Sequence, residues 1–441
     1  MKPGGLIAAV CVLAVLSGLL VYTKKHPPED PKKAAAAPKI ISADVKSIES
    51  LSLGKSGEEP VVLNKSADKW EVTKPAHYPA DQDAVSAIAN AMADLTSDRL
   101  IEENATDLNP FGLATPALEV SITLKGGKNQ KLLIGADNPA GNATYVKLDG
   151  EPKVYTIASA TKTNLTKSLG DVRDKRLLTF DQEKLTAATL TAKGATTEFT
   201  KNKLNEWSVV KPKAFRADGL QVDDLIRALK DAKMDLANDD PAATAKAFAA
   251  AEKVATATVT DSSGTQTIEI HKTKDNSYYA KSSAVEGTYK LAAAMDGLTK
   301  TADDFRNKKL FDFGFNDPSK VEISGKAYQR SGDKWTVGTA QFDAPSMQAV
   351  IDKLRDLSAT KFAEKTPGAP VLTLTVTSNS LSADNGRVEK VTIAKEGDAY
   401  AAQRDGEASL YIIDAKSIDE LQKAISEIKP YVAPKPDTAK K

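Results

Sequence analysis

Along most of this chain apolar and polar residues alternate with period two, the mark of half-buried strands. The alternation is clearest at residues 117–124 (ALEVSITL), 254–260 (VATATVT) and 371–377 (VLTLTVT), all rich in Val, Ile and Thr. Each leads into further short stretches: KLLIG, TIEIH and KVTIA; then TYVKL, SYYAK and AYAAQ; then KVYTI, GTYKL and SLYII. Gly, Asn or Asp separates them, so each series reads as an antiparallel meander. Val45, Ile48, Leu51 and Leu53, and again Val321 and Ile323, place further strands ahead of the meanders.

Between these strands the period changes to helical. Val85, Ile88, Met92 and Leu95 lie on one helix face; Val222, Leu225, Ile226 and Leu229 on a second; Met347, Val350, Ile351, Leu354 and Leu357 on a third. Asp81, Asp218 and Asp343 precede them, where a carboxylate accepts from the first free N–H groups of a helix. Just upstream stand the chain's three tryptophans. Trp70 opens WEVTKPAHYPAD, Trp207 opens WSVVKPKAFRAD, and Trp335 opens the shorter WTVGTAQFD, which lacks the Lys-Pro. Second helices are expected at 160–169, 292–301 and 417–428. DVRDKRLLTF (171–180) then matches DFRNKKLFDF (304–313) as a joint between units, and the third unit ends in a Pro/Lys tail instead.

The expected class is α+β: three tandem repeats of antiparallel β-meander plus helices, behind an N-terminal transmembrane helix. Residues 6–22 carry no charge, near the short limit for a bilayer span, so residues 1–23 are assigned as an anchor. Residues 24–39, rich in Pro, Lys and Ala, form a tether. Repeat units follow at 40–180, 181–313 and 314–430, with a tail at 431–441. Lysines on both flanks of the apolar run leave the orientation open on charge alone.

Sixty Lys and Arg against 59 Asp and Glu provide no field for nucleic acid. Cys11 is the sole cysteine and the three histidines are scattered, so neither a disulfide nor a metal site is expected. The chain has no phosphate-binding loop, HExxH or Gly-x-Ser-x-Gly, and the expectation is a protein without catalytic residues or cofactor. The tryptophans read as packing anchors of strand on helix. Arg173, Lys175, Arg176, Arg306, Lys308 and Lys309 are candidate contacts for an anionic partner, against the plainer reading of salt bridges at a repeat interface.

The hydrophobic start, the repeated W-x-V…P…(Y/F)-x-A-D phrases and the D-x-R-x-(K/R)-x-L-x-x-F phrases resemble the bacterial family called DUF4340. That resemblance implies a single-pass protein of the cytoplasmic membrane with its main domain extracytoplasmic, accessory to an ABC-type transporter and partnered by a polytopic subunit. It carries no catalytic residues. Two classes of function stand on the sequence: a scaffold or accessory subunit of such a transporter, and an envelope binding module for a polysaccharide or lipid.

Overall fold

A computed structural model describes residues 38–432 except 56, 238–239, 316–317, 365–367 and 379–385. The chain divides into two compact units, residues 1–175 and 176–441.

In the first unit, β1 (Ile48–Lys55), β2 (Val61–Ser66), β3 (Lys69–Lys74) and β4 (Tyr78–Pro79) run as a meander into helix α1 (Gln82–Ala93). After β5 (Arg99–Glu102) a second meander follows: β6 (Leu118–Leu124), β7 (Asn129–Asp137), β8 (Ala143–Leu148) and β9 (Val154–Ala158). The two series join through β1 and β6, giving one sheet in the order β4-β3-β2-β1-β6-β7-β8-β9-β5. Helices α2 (Ser159–Leu165) and α3 (Leu169–Val172) close the unit. One face of the sheet is apolar because of the period-two pattern, and Val85, Ile88 and Met92 of α1 bury in the same core as Leu51, Leu63, Val120 and Ile134.

The second unit repeats this plan twice. Its first sheet comprises β10 (Ala187–Ala192), β11 (Ala195–Lys201), β12 (Trp207–Lys211), β13 (Phe215–Arg216), β14 (Glu252–Asp261), β15 (Gly264–Lys272), β16 (Tyr278–Ser282) and β17 (Thr288–Lys290). Helices α4 (Gly219–Lys230) and α5 (Pro241–Ala250) interrupt that series. The other sheet comprises β18 (Lys320–Ile323), β19 (Lys326–Ser331), β20 (Lys334–Val337), β21 (Ala340–Asp343), β22 (Lys361–Ala363), β23 (Pro370–Ser378), β24 (Arg387–Glu396), β25 (Ala399–Arg404) and β26 (Leu410–Ile413). Its helices are α6 (Ala344–Asp356) and α7 (Ala415–Ser426).

The expected α+β class is corrected by this arrangement. The protein is mostly antiparallel sheet, with 43% strand against 23% helix, in three sheets of nine, eight and nine strands. Both meanders of each repeat pair into one sheet, so helices only cover its face and do not build a layer of equal weight. Among the described residues no helix is long and apolar enough to cross a membrane. The longest, α6, has 13 residues, where a span needs about 20. Residues 6–22, on which the expected transmembrane helix rested, lie outside the described residues.

Two local differences have physical causes. The helix expected at 292–301 is replaced by 3-10 turns at Asp296–Thr299 and Ala302–Phe305. Thr301 and Asp304 cap each other there, starting a new turn where the helix would have continued. Helix α5 was not expected because its Ala-rich sequence has no apolar stripe and none of its residues is buried. Its start is nevertheless marked, by Asp240 accepting from the N–H groups of Ala242 and Ala243 and by Pro241 at the first helical position.

Candidate functional site

The repeated residues are engaged in internal contacts. Trp70, Trp207 and Trp335 are buried, each within the hydrophobic core of its own sheet. Asp81, Asp218 and Asp343 cap α1, α4 and α6; Asp218, for example, accepts from Leu220 N at 3.0 Å and Gln221 N at 3.4 Å. Each tryptophan strand thereby leads into a helix of fixed direction.

The arginine of each joint phrase stacks on the aromatic of the preceding tryptophan phrase. Arg173 is buried with its guanidinium 4.0 Å from the Tyr78 ring, and Arg306 lies 4.9 Å from Phe215. On its other face Arg306 is 3.7 Å from Phe362 of β22, and it donates to Ser409 Oγ at 2.8 Å. Such cation–π contacts gain strength when desolvated. Main-chain pairing repeats as well: Asp81 N donates to Val172 O and Asp218 N to Phe305 O, both at 2.8 Å. In the third repeat the segment after α7 takes this place, with Asp343 N donating to Lys429 O at 3.0 Å and Tyr431 N to Gln341 O at 3.0 Å. The backbone position is thus filled without the Arg phrase. Of the other basic candidates, Lys175 is half-buried, while Arg176, Lys308 and Lys309 are exposed.

Beside Arg306, in the second unit, lies a charge network that sequence reasoning missed. Arg216 of β13 donates to Asp312, to the main-chain oxygen of Lys309, and to Glu407 Oε1 at 3.0 Å. Arg387 reaches Glu206 and, at 3.2 Å, Asp312. Arg404 donates to Leu310 O, to Glu389 Oε1 at 3.0 Å and to Glu407 Oε1 at 2.7 Å. Glu389 is almost fully buried and also accepts from Asp312 N at 3.0 Å. Tyr411 donates to Glu407 Oε2 at 2.6 Å.

Cations and carboxylates alternate through this network, so each buried charge has partners of opposite sign. Burial acts against the charge on Glu407 more than any other single influence. Arg216, the Tyr411 hydroxyl and Arg404 together outweigh it and hold the carboxyl below its usual value. Burial likewise opposes the charge on Arg404, yet Glu407 and Glu389 leave its pKa raised. The Tyr411 phenol is pushed up, mainly by burial.

One wall of the network borders a cleft of about 410 Å³. Leu185, Trp207, Ala217 and Ile226 form its apolar floor, and Gln182, Glu183, Asn205 and Asp223 stand on its rim with Arg216 and Asp312. In the first unit a side chain plugs the corresponding main-chain edge of the tryptophan strand. Gln82, the residue after the capping Asp81, accepts from Trp70 N at 2.8 Å and donates to Trp70 O and Ala80 O, both at 2.9 Å. In the second unit Gly219 follows Asp218 and lines the cleft, and a Cβ built there meets nothing within 4 Å.

A family model described as a domain of unknown function (DUF4340) matches residues 70–206 and 207–374, well over half of the chain. The chain belongs to this family. Neither a curated protein nor a solved structure matches it. Both DUF4340 matches begin on a tryptophan, Trp70 and then Trp207. A DUF4340 segment counted in this way starts on the buried tryptophan strand of one sheet and runs into the first strands of the next. The signal for the charge network was present in the aligned DUF4340 repeats: Pro79 stands where Arg216 does, and Thr179 where Asp312 does.

Proposed function

We propose that this DUF4340 protein is a non-enzymatic scaffold, attached to a membrane through residues 6–22 and acting outside the cytoplasm as an accessory subunit of an ABC-type transporter. The observation that supports this reading is the use of the repeated residues. Trp70, Trp207 and Trp335 pack cores, the aspartates cap helices, and Arg173 and Arg306 stack on neighbouring rings. What the repeats preserve is a framework that presents surface. A protein held at a membrane searches for partners in two dimensions, which raises its effective concentration toward other membrane proteins. A stable assembly needs an interface of roughly 1,200 Å² or more, and a chain with three sheets has surface for one.

Crosslinking of the full chain in intact membranes tests this. The expected result is capture of a polytopic transporter subunit, with a fragment starting at Lys39 binding that subunit more weakly than the full chain. Recovery of glycan or lipid alone, with no protein partner across several crosslinkers, overturns the scaffold reading. The second reading, a ligand-binding module, is favoured by the cleft beside Trp207.

A further inference from the structure

We propose that the cleft of the second unit binds a short, neutral saccharide, an activity separate from the scaffold role. Its volume of about 410 Å³ falls within the ~300–1,000 Å³ of small-molecule sites. The side chains of Gln182, Glu183, Asn205 and Asp223 have no hydrogen-bond partner among the described residues and line the opening, with the Lys201 ammonium in the same wall. Carboxylates accept, an ammonium donates, and amides do both. A wall that mixes these over an apolar floor suits hydroxyl groups, each of which donates and accepts.

Other ligand classes fit less well. An anion would face Glu183, Glu206, Asp223 and Asp312, and a lipid tail would meet a mostly polar wall.

The comparison with the first unit carries the proposal further. There the Gln82 amide plugs the main-chain edge of the tryptophan strand with a group that both donates and accepts. Gly219 removes that plug in the second unit while keeping the capping aspartate and the tryptophan. Trp207 O there accepts from Ala217 N at 3.3 Å, so the main chain meets part of what the Gln82 amide does, and a ligand hydroxyl in the opened space would meet Gln182, Glu183, Asn205 and Asp223.

The test uses the full chain in a detergent without a sugar headgroup. It is titrated with soluble cello-, malto-, chito- and β-1,3-gluco-oligosaccharides by calorimetry and saturation-transfer NMR. At least one series should bind, and Asp223→Ala should weaken it about tenfold or more, the loss of one charge-assisted contact. Gly219→Gln, which restores the plug of the first unit, should abolish binding while leaving the unfolding midpoint in place. Absence of binding to the whole panel at millimolar concentration overturns the proposal. So does binding that survives Gly219→Gln, because the saccharide would then sit elsewhere. Neither outcome bears on capture of a transporter subunit, so the two proposals fail separately.

Discussion

The two joint phrases share a sequence pattern, but their neighbours differ. Within the first, Thr179 N donates to the amide oxygen of Gln266 at 2.8 Å, and the Ser282 hydroxyl donates to Leu177 O. Within the second, Asp312 N donates to the Glu389 carboxylate, and the Arg404 guanidinium donates to Leu310 O. The backbone needs the same things in both places: one acceptor for an N–H and one donor for a carbonyl. A neutral pair meets that need. The charged pair meets it too, and in addition connects to Arg216, Glu407 and Tyr411. The extra charge therefore serves contacts between the two sheets of the second unit, beyond the joint's own backbone.

Removing one member from each joint should separate these roles most sharply. Arg404→Ala leaves the buried Glu389 with Arg387 alone, 3.3 Å away, and Leu310 O without its donor, and should cost about 3 kcal/mol. Ser282→Ala removes two neutral bonds, the one donated to Leu177 O and the one accepted from Ala284 N, and should cost about 1–2 kcal/mol. Denaturant unfolding of the full chain measures both. Equal losses would show that the network adds nothing beyond the backbone bond.

Acid should act on the same comparison with a smaller effect. The Glu407 pKa is lowered in the folded state, so its stabilisation is complete above the ordinary glutamate value of about 4.3 and is lost as pH falls through the folded value. Near the first joint Asp261 behaves in the same sense. Bonds from the Ser263 hydroxyl, Asp181 N and Ser263 N hold it at about 2, so its contribution is lost progressively between the ordinary aspartate value of about 3.9 and about 2. Unfolding followed from pH 6 downward should show stability falling below about pH 4.3, and Glu407→Gln should flatten the early part of that fall. Asp261→Asn should flatten the part of the fall that runs from the ordinary aspartate value of about 3.9 down to about 2. An unchanged profile in Glu407→Gln would remove the network from the acid response.

Much of the framework was legible in local sequence because its causes are local. Alternation marks β6, β14 and β23, and a cap followed by an apolar stripe marks α1, α4 and α6. The class was misjudged because helices were weighed as a layer, whereas β1 and β6 pair and draw both meanders into one sheet. The network was not legible in any single stretch. Arg216 and Glu407 are 191 residues apart, and neither lies in a run with chemical character. Only the aligned repeats show them, where Pro79 and Thr179 in one copy face Arg216 and Asp312 in the other. The cleft was hidden for the same reason: a glycine after a helix cap is unremarkable until Gln82 is seen in its place.

The smallest effect should come from the pair that most resembles the network on paper. Lys213 Nζ lies 2.8 Å from Glu364 Oε1 and, like Arg216, links the β12–β13 region to the last sheet. Its distance is as short as those inside the network, but Lys213 is 49% and Glu364 82% exposed. Water screens such a pair and each long side chain loses freedom in holding it, so its net worth is slight. The Glu364 pKa is nevertheless lowered, first by the bond from Lys213, which shows contact without implying stability. Lys213→Ala should leave the unfolding midpoint unchanged at both low and high salt, while Arg216→Ala, whose side chain is 12% exposed, should lower it at both. If Lys213→Ala destabilises as much as Arg216→Ala, burial is not what distinguishes the network, and the contrast between the two joints would have to rest on the number of charges alone.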